Sequence, residues 1–577
     1  MERYDAIVIG AGHNGLIAAC YLARAGKRVL VLERRDIVGG ACVTEEVWPG
    51  YRVSTAAYLC SLLRPEIVRD LELEHYGFEV YRRETSGFAP FPDGQHLSLF
   101  PDEALTRAEL ERFCHETPED VAAYFRFEAD VERAAEVVEK WLLHDPPSWS
   151  ELRSAFDAAG CGELYAPFVT GSVRALLDSR FRNEQLKAVL ATDGLIGTYG
   201  GPGTPGTAYV LLHHYLGMIL GVCGGWGYVR GGMGHITQSL AKVLQSHGGE
   251  IRTNAPVSQI LTKIAPLLKE RGWGEIRGGN PRVADLGLHS DVANLGCTEG
   301  ASSLAPLPGE RGWGEVLGVR LDSGEEIAAD TVLSNADPYH TFEHLAKGLL
   351  PQKDAAPAWN RLVTQGGPST KINLAVTELP RFTCLPQREN HSTPGSEHLG
   401  TVHLCPDMET LERAWDEARR GIPSTEPMIE VYLQTATDAS IAPPGCHILS
   451  LFTQYFPYNL APGLDLDTER ERYADRVVKI LGQYAPNVPA SILHRQILTP
   501  RDLEARFGLT GGHIFHGDLL PPTLWDARPA PGFHGARTPL SGLYLCGSGA
   551  HPGGCVFGAP GYNAARAVLN DIAEKHS

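Results

Sequence analysis

The 577-residue chain contains no Cys-x-x-Cys pair. Its twelve cysteines are scattered, a spacing that fits neither a disulfide scaffold, nor a zinc site, nor a dithiol redox centre. They read as buried small hydrophobes of a reducing compartment. No apolar run reaches the roughly 18 residues of a membrane span. The best candidate, residues 208–222, is interrupted by His213 and His214. Positive charge is scarce as well: 51 Lys and Arg stand against 69 Asp and Glu, a net charge of −18. Such a surface repels phosphate backbones and argues against nucleic acid as a partner. No His, Asp or Glu cluster has metal-ligand spacing, so no metal is expected, and there is no Gly-x-Ser-x-Gly elbow. The N-terminus enters a strand-like run by residue 5, leaving no room for a signal or transit peptide, so a cytoplasmic location is expected.

Glycine, by contrast, is plentiful. The 63 glycines amount to about 11% of the chain, against roughly 7% in average proteins, and they lie in short clusters without a period. Hydrophobic residues make up 43% and charged residues 21%, enough for a large core. At roughly 150 residues per domain the length allows two to four domains.

The first forty residues carry the strongest local signal. Asp5-Ala-Ile-Val-Ile9 reads as a buried parallel strand. It runs into Gly10-Ala-Gly12-His13-Asn14-Gly15 and a helix-forming stretch over 16–25 that Gly26 stops. A second strand over 28–32 ends on Glu33. This order is that of a dinucleotide-binding unit. Gly10 makes the tight turn, Gly12 lets backbone approach a pyrophosphate, and Gly15 lets helix pack on strand. The helix N-terminus offers free N–H groups and a positive dipole end to that pyrophosphate. Glu33 is placed to accept hydrogen bonds from a ribose hydroxyl. This context alone does not choose NAD over FAD.

The continuation Glu33-Arg34-Arg-Asp-Ile-Val-Gly39-Gly40-Ala41 resembles the FAD-containing amine oxidase and phytoene desaturase superfamily, in which such a Gly-Gly turn lies beside the diphosphate. Two further segments extend the resemblance: residues 224–235 with 249–257, and residues 542–554 with Gly558-Ala559-Pro-Gly561. It is closer to one branch, the proteins called pyridine nucleotide-disulfide oxidoreductase domain-containing protein 2, and runs nearly end to end. Gly12-His-Asn-Gly-Leu16, Tyr58 to Pro65, Val210 to His214, Ser450 to Tyr455 and Phe507 to His516 carry it. The eukaryotic relatives of this branch are mitochondrial. Cys555 and Pro560 depart from the flavin motif, where small, flexible residues are expected; Pro560 suits the first turn of a helix.

The resemblance implies FAD as cofactor. It implies contacts from Gly10, Gly12, His13, Asn14, Gly15, Glu33, Arg34, Gly39, Gly40, Ala41, Arg230 and Asn335, from Val257 through its backbone to the adenine, and from Gly547, Ser548, Gly558 and Ala559. The last of these open a helix that faces the flavin ring, where its dipole would stabilise negative charge.

The fold class implied is α/β: a Rossmann-type FAD-binding domain with a parallel sheet, discontinuous in sequence (1–75, 211–345 and 536–577), and a mixed sheet-and-helix substrate domain (76–210 and 346–535). Apolar-rich runs at 371–376 and 447–452 read as strands, and the amphipathic acidic stretch 119–141 reads as a helix. Ala265-Pro-Leu-Leu-Lys-Glu-Arg-Gly-Trp-Gly-Glu275 recurs imperfectly at 305–315. The flanks 257–261 and 316–320 read as a hairpin, and residues 262–315 as an insertion predicted to form a disordered loop.

Histidines are the candidate chemical groups. His551, inside the second flavin motif, and His516, in a segment that the family places at the substrate cavity, are the candidates for catalysis. His213 and His214 read as buried and hydrogen-bonded, and Lys371 as a strand-edge lysine or, less favoured, a site cation. The expected function is hydride transfer from a C–H or C–N bond of an apolar small molecule to FAD, with oxygen or a quinone as acceptor. A second nucleotide block and a redox cysteine pair are both lacking, which disfavours NAD(P) and disulfide chemistry. A flavin-binding regulatory protein with little turnover is the alternative. Peripheral membrane contact is compatible with lipidic substrates, and oligomeric state is not legible.

Overall fold

The computed structural model describes residues 2–219, 222–264, 314–349, 356–386, 392–521, 523–531, 533 and 535–576. Most of the expected insertion, residues 265–313, lies outside the described residues. The strands flanking it, Val257–Ile264 and Gly314–Leu321, pair antiparallel along their length, from Val257 opposite Leu321 to Ile264 opposite Gly314.

Two sheets organise the chain. In the first, strands 250–252, 29–32, 3–9 and 326–334 run parallel in that order. Val29–Leu32 is buried at every position, as a parallel strand covered on both faces must be. Strand Glu326–Ser334 changes partners along its length. Its start pairs antiparallel with residues 318–320, and its end pairs parallel with Leu543–Leu545. The sheet therefore unites segments from the start, the middle and the end of the sequence. Helices His13–Arg24, Gly234–Ser246 and Ala559–His576 cover one face through Leu16, Ile17, Leu240, Val243, Ala564 and Val568. Pro560 sits in the first turn of the last helix, where its missing N–H is not needed.

The second sheet runs 492–498, 369–376, 447–454, 428–432, 401–404, 87–90 and 96–99, antiparallel apart from the 401–404 and 87–90 pair. Side chains alternate between its faces with a period of two. Ile372, Leu374, Ile429, Val431, Leu449 and Leu451 form one face, packed under helix Leu466–Tyr484 through Tyr473, Val477 and Leu481. The opposite face carries Lys371, Asn373, Glu430, Tyr432, Ser450 and Phe452. A helical layer built on Glu119–Glu139, Glu184–Ala191 and Thr207–His214 packs around Phe127, Phe156, Phe168 and Phe181 and encloses that face. Among the described residues, no helix is long and apolar enough to cross a membrane.

Candidate functional site

A single cavity of about 840 Å³ runs from the N-terminal glycine turn to the second sheet. This volume falls in the roughly 300–1,000 Å³ range of cofactor and ligand sites. At one end the turn is shaped by sterics. Gly10 has φ +93°, and a Cβ on Gly15 would lie 2.3 Å from the Gly10 carbonyl oxygen, so helix and strand meet only without a side chain there. Gly12 caps the helix without a side-chain oxygen, leaving first-turn N–H groups directed at the cavity. The Gly39 N–H donates to the Ala11 carbonyl (2.9 Å), which lays the Gly39-Gly40 turn against Gly12.

Glu33, 5% exposed, accepts from the Ala11 N–H (2.8 Å) and the Arg35 N–H (2.9 Å), so its carboxylate is fixed at the cavity wall. Asn14 donates to Ser548 Oγ (3.4 Å) and Asn335 to the Gly10 carbonyl (3.4 Å), tying the turn to the other segments. The buried atoms His13 Nε2 and Asn14 Oδ1 lack a hydrogen-bond partner among the described residues. Orphaned polar atoms beside bare helix N–H groups fit a phosphate-bearing cofactor. Gly10, Gly12, Gly39, Gly40, Ala41 and Val257 also line the cavity. Arg34 lines it too, but its guanidinium donates to the carbonyls of Ala505 and Arg506 (3.3 and 2.9 Å) at the end of helix Pro500–Phe507.

Several expected residues stand elsewhere. Arg230 does not line the cavity: its side chain is 62% exposed and pairs with Glu79 at 2.9 Å. Gly547, Gly558 and Ala559 pack rather than line. A Cβ on Gly547 would meet the Asn335 carbonyl at 2.7 Å, and one on Gly558 would meet Ile17 at 2.8 Å. His551 is buried away from the cavity, with Nε2 donating to the Trp141 carbonyl (2.9 Å); it joins the C-terminal motif to the helical layer. The expectation of a catalytic place for His551 gains no support from this position. His516 does line the cavity, with φ +55° and with Nδ1 lacking a partner among the described residues. Burial holds its imidazole down at about 4, and that of His13 likewise, so both are neutral at pH 7. His213 and His214 are buried, hydrogen-bonded to the carbonyls of Gly554 (3.3 Å) and Val210 (2.8 Å). Cys555 lines the cavity with φ +71°, a costly conformation for a residue other than glycine. Burial pushes its thiol up to about 12. Cys20, Cys42, Cys60, Cys114, Cys161, Cys384, Cys405, Cys446, Cys546 and Cys555 form no disulfide.

At the other end, the second sheet presents one row across four strands: Lys371 opposite Phe452, Phe452 opposite Glu430, Glu430 opposite His403. All four line the cavity. Lys371 lies on a central strand and is only 3% exposed, not at an edge. Its amine contacts Ser450 Oγ and stands 4.1 Å over the Tyr58 ring. Burial drives the amine well below its usual range. Glu430 accepts from the Tyr432 hydroxyl (2.5 Å) and lies 3.4 Å from His403 Nδ1. Burial raises this carboxyl, but His403 and Tyr432 more than offset it and hold it below the usual range. The sequence signal for this row is a period-two alternation in 369–376, and a lone carboxylate inside the apolar run Met428–Tyr432.

Comparison with known proteins follows the same lines. A family model described as an NAD(P)-binding Rossmann-like domain matches residues 8–70. Over 99% of its length the chain is 38% identical to mouse pyridine nucleotide-disulfide oxidoreductase domain-containing protein 2, covering 94% of that protein. It is 25% identical to the neurosporene-forming phytoene desaturase of Rhodobacter capsulatus, over 95% of this chain and 90% of that one. A crystal structure of an oxidoreductase from Methanosarcina mazei shares its fold, with a TM-score of 0.54 and 18% identity over 98% of this chain and 99% of that one.

Proposed function

Because the chain belongs to the pyridine nucleotide-disulfide oxidoreductase domain-containing protein 2 family, we propose that it is an FAD-dependent oxidoreductase that oxidises a C–H or C–N bond of a small organic molecule and passes electrons to oxygen or a quinone. The observation that carries this reading is the single cavity reaching from the glycine turn to the row of Lys371, Glu430 and His403. When bound, FAD supplies a two-electron acceptor able to take a hydride from a substrate carbon.

The residues that would hold it are Gly10, Gly12, His13, Asn14, Gly39, Gly40 and Ala41 at the diphosphate. Glu33 and Val257 serve at the adenosine end, and Asn335 and Ser548 beyond the turn. The nucleotide-binding unit comprises 1–75, 211–345 and 536–577. At the substrate end, Lys371, whose amine burial pushes well below its usual range, and neutral His516 are groups able to accept a proton in a dry site. Glu430, kept ionised by Tyr432 and His403, orients substrate donors. Acceptance by oxygen or quinone in place of NAD(P) is supported by the one strand, Gly-x-Gly turn and helix unit among the described residues.

The absorption spectrum of the purified protein before and after heat denaturation tests the reading. Oxidised-flavin bands, released to the supernatant on heating, are expected. A colourless protein that takes up no added FAD overturns it.

A further inference from the structure

Part of the cavity wall is acidic and aromatic. Helix Glu119–Glu139 contributes Tyr124, Glu128 and Glu132, each four residues apart and so stacked on one face about 6 Å apart along the axis. Exposed Glu132 stands at the outer end, and Tyr215 donates to Glu128 Oε1 at 3.0 Å. Asp193 lies between this helix and the sheet, within electrostatic reach of Glu128 on one side and of Glu430 and His403 on the other. Glu430, 1% exposed, also lines the cavity, with Oε1 3.4 Å from His403 Nδ1 and Oε2 accepting from the Tyr432 hydroxyl. Glu132, Glu128, Asp193 and Glu430 thus line one and the same cavity.

Arg83 lines the same cavity within electrostatic reach of Asp193. Arg83 is buried and donates to Thr401 Oγ1 (2.8 Å) and the Ser86 carbonyl (2.9 Å), so its guanidinium is held in the wall. Arg82 is exposed. Between the acids stand ring faces. Tyr58 and Tyr432 are 4.3 Å apart between centroids at the floor, and Trp226 stacks on His214. The Tyr58 face already receives one nitrogen, that of Lys371. Carboxylates alternating with π faces attract a cation.

We propose that the substrate is a primary or secondary aliphatic amine, and that Glu128, Asp193 and Glu430 are the carboxylates that draw in and hold its ammonium group. This rests on the oxidoreductase reading above and narrows its substrate class. The apolar stem of such a molecule lies against Phe452, Ile514 and Leu59 of the same cavity. Lys371 stands at the inner end, where an ammonium group must lose a proton before its carbon is oxidised.

The test uses the full chain with flavin bound and four probes: n-hexylamine, 1,6-diaminohexane, 1-hexanol and limonene. Thermal melting and perturbation of the flavin spectrum are recorded at millimolar probe. Both amines are expected to raise Tm by about 3–6 °C, with saturable spectral shifts. Hexanol and limonene are expected to leave both readouts in place. Glu128→Gln and Asp193→Asn, nearly isosteric changes, are expected each to weaken hexylamine binding by about tenfold. Their flavin content and unliganded Tm, read first, establish that the variants are folded; Glu430→Gln is the third arm. Equal stabilisation by hexanol or limonene overturns the proposal. So does amine binding that none of the three variants weakens. Loss of flavin binding by the parent protein refutes the oxidoreductase reading instead, and amine binding is then still measurable on the flavin-free chain.

Discussion

At the residue scale, the glycine turn and the two ends of the cavity make separable demands. Gly15→Ala puts a methyl 2.3 Å from the Gly10 carbonyl oxygen, a backbone atom, and 3.2 Å from the Asn335 side chain. A loss of about 1–3 kcal/mol in stability is expected, together with reduced flavin uptake, read by melting and by the ratio of flavin to protein absorbance. His551 and Lys371 part company in the opposite sense to their sequence positions. His551→Leu removes the donor to the Trp141 carbonyl and is expected to cost about 1–3 kcal/mol without changing the rate of flavin bleaching by substrate. Lys371→Met keeps the volume and removes the amine. Flavin content and Tm are expected to hold while the bleaching rate falls by about 10²–10⁴. If the two variants exchange these behaviours, the assignment of the cavity is wrong. His551 sits inside the second flavin motif, and nothing local in that motif shows its ring turning toward Trp141, 410 residues away.

At the scale of elements, the sequence was most informative where an element has one dry and one polar face. The acidic stretch at 119–141 is a helix over Glu119–Glu139 with Phe127, Val131 and Val138 buried. The runs at 371–376 and 447–452 are strands Ser369–Val376 and His447–Gln454. The polar stripe of the helix is the part that could not be interpreted in advance. Tyr124, Glu128 and Glu132 look like an ordinary solvated stripe until the second sheet closes over it. Burial raises the Glu128 carboxyl to about 7, with Glu132 and Asp193 adding to it and the Tyr215 hydroxyl opposing. Tyr124 packs on the same stripe. An amine stays protonated throughout, so its affinity is expected to rise as pH increases from 6 to 8 and Glu128 ionises. A titration of hexylamine binding at these pH values checks this, and Glu128→Gln flattens the trend.

At the scale of the whole molecule, burial of neutral histidines couples folding to pH. His13, His516 and His551 are each held at about 4, against 6.5 for a free imidazole. Between those values the unfolded chain binds protons that the folded one refuses. Stability is therefore full above pH 6.5 and declines as pH falls toward 4. Melting of the flavin-free protein in buffers from pH 7.5 to 4.5 is expected to show that decline. Replacing His551 by leucine removes its share of the slope.

The sequence by itself determined the nucleotide-binding turn. Its requirements are local: a positive φ at Gly10, bare Cα atoms at Gly12 and Gly15, and a carboxylate at Glu33, all within one strand, turn, helix and strand. It also marked residues 371–376 and 447–452 as strands of a further sheet. Only the tertiary structure decided which face would enclose a cavity, because that depends on what packs against the other side. Helix Leu466–Tyr484 takes the apolar face, and the helical layer closes over the polar one. Lys371, His403, Glu430 and Phe452 become neighbours through strand register, and Glu128 and Asp193 reach them from a different layer. Spacing along the chain holds no record of such an arrangement, since each of its contacts is made between segments that meet only when the layers are stacked.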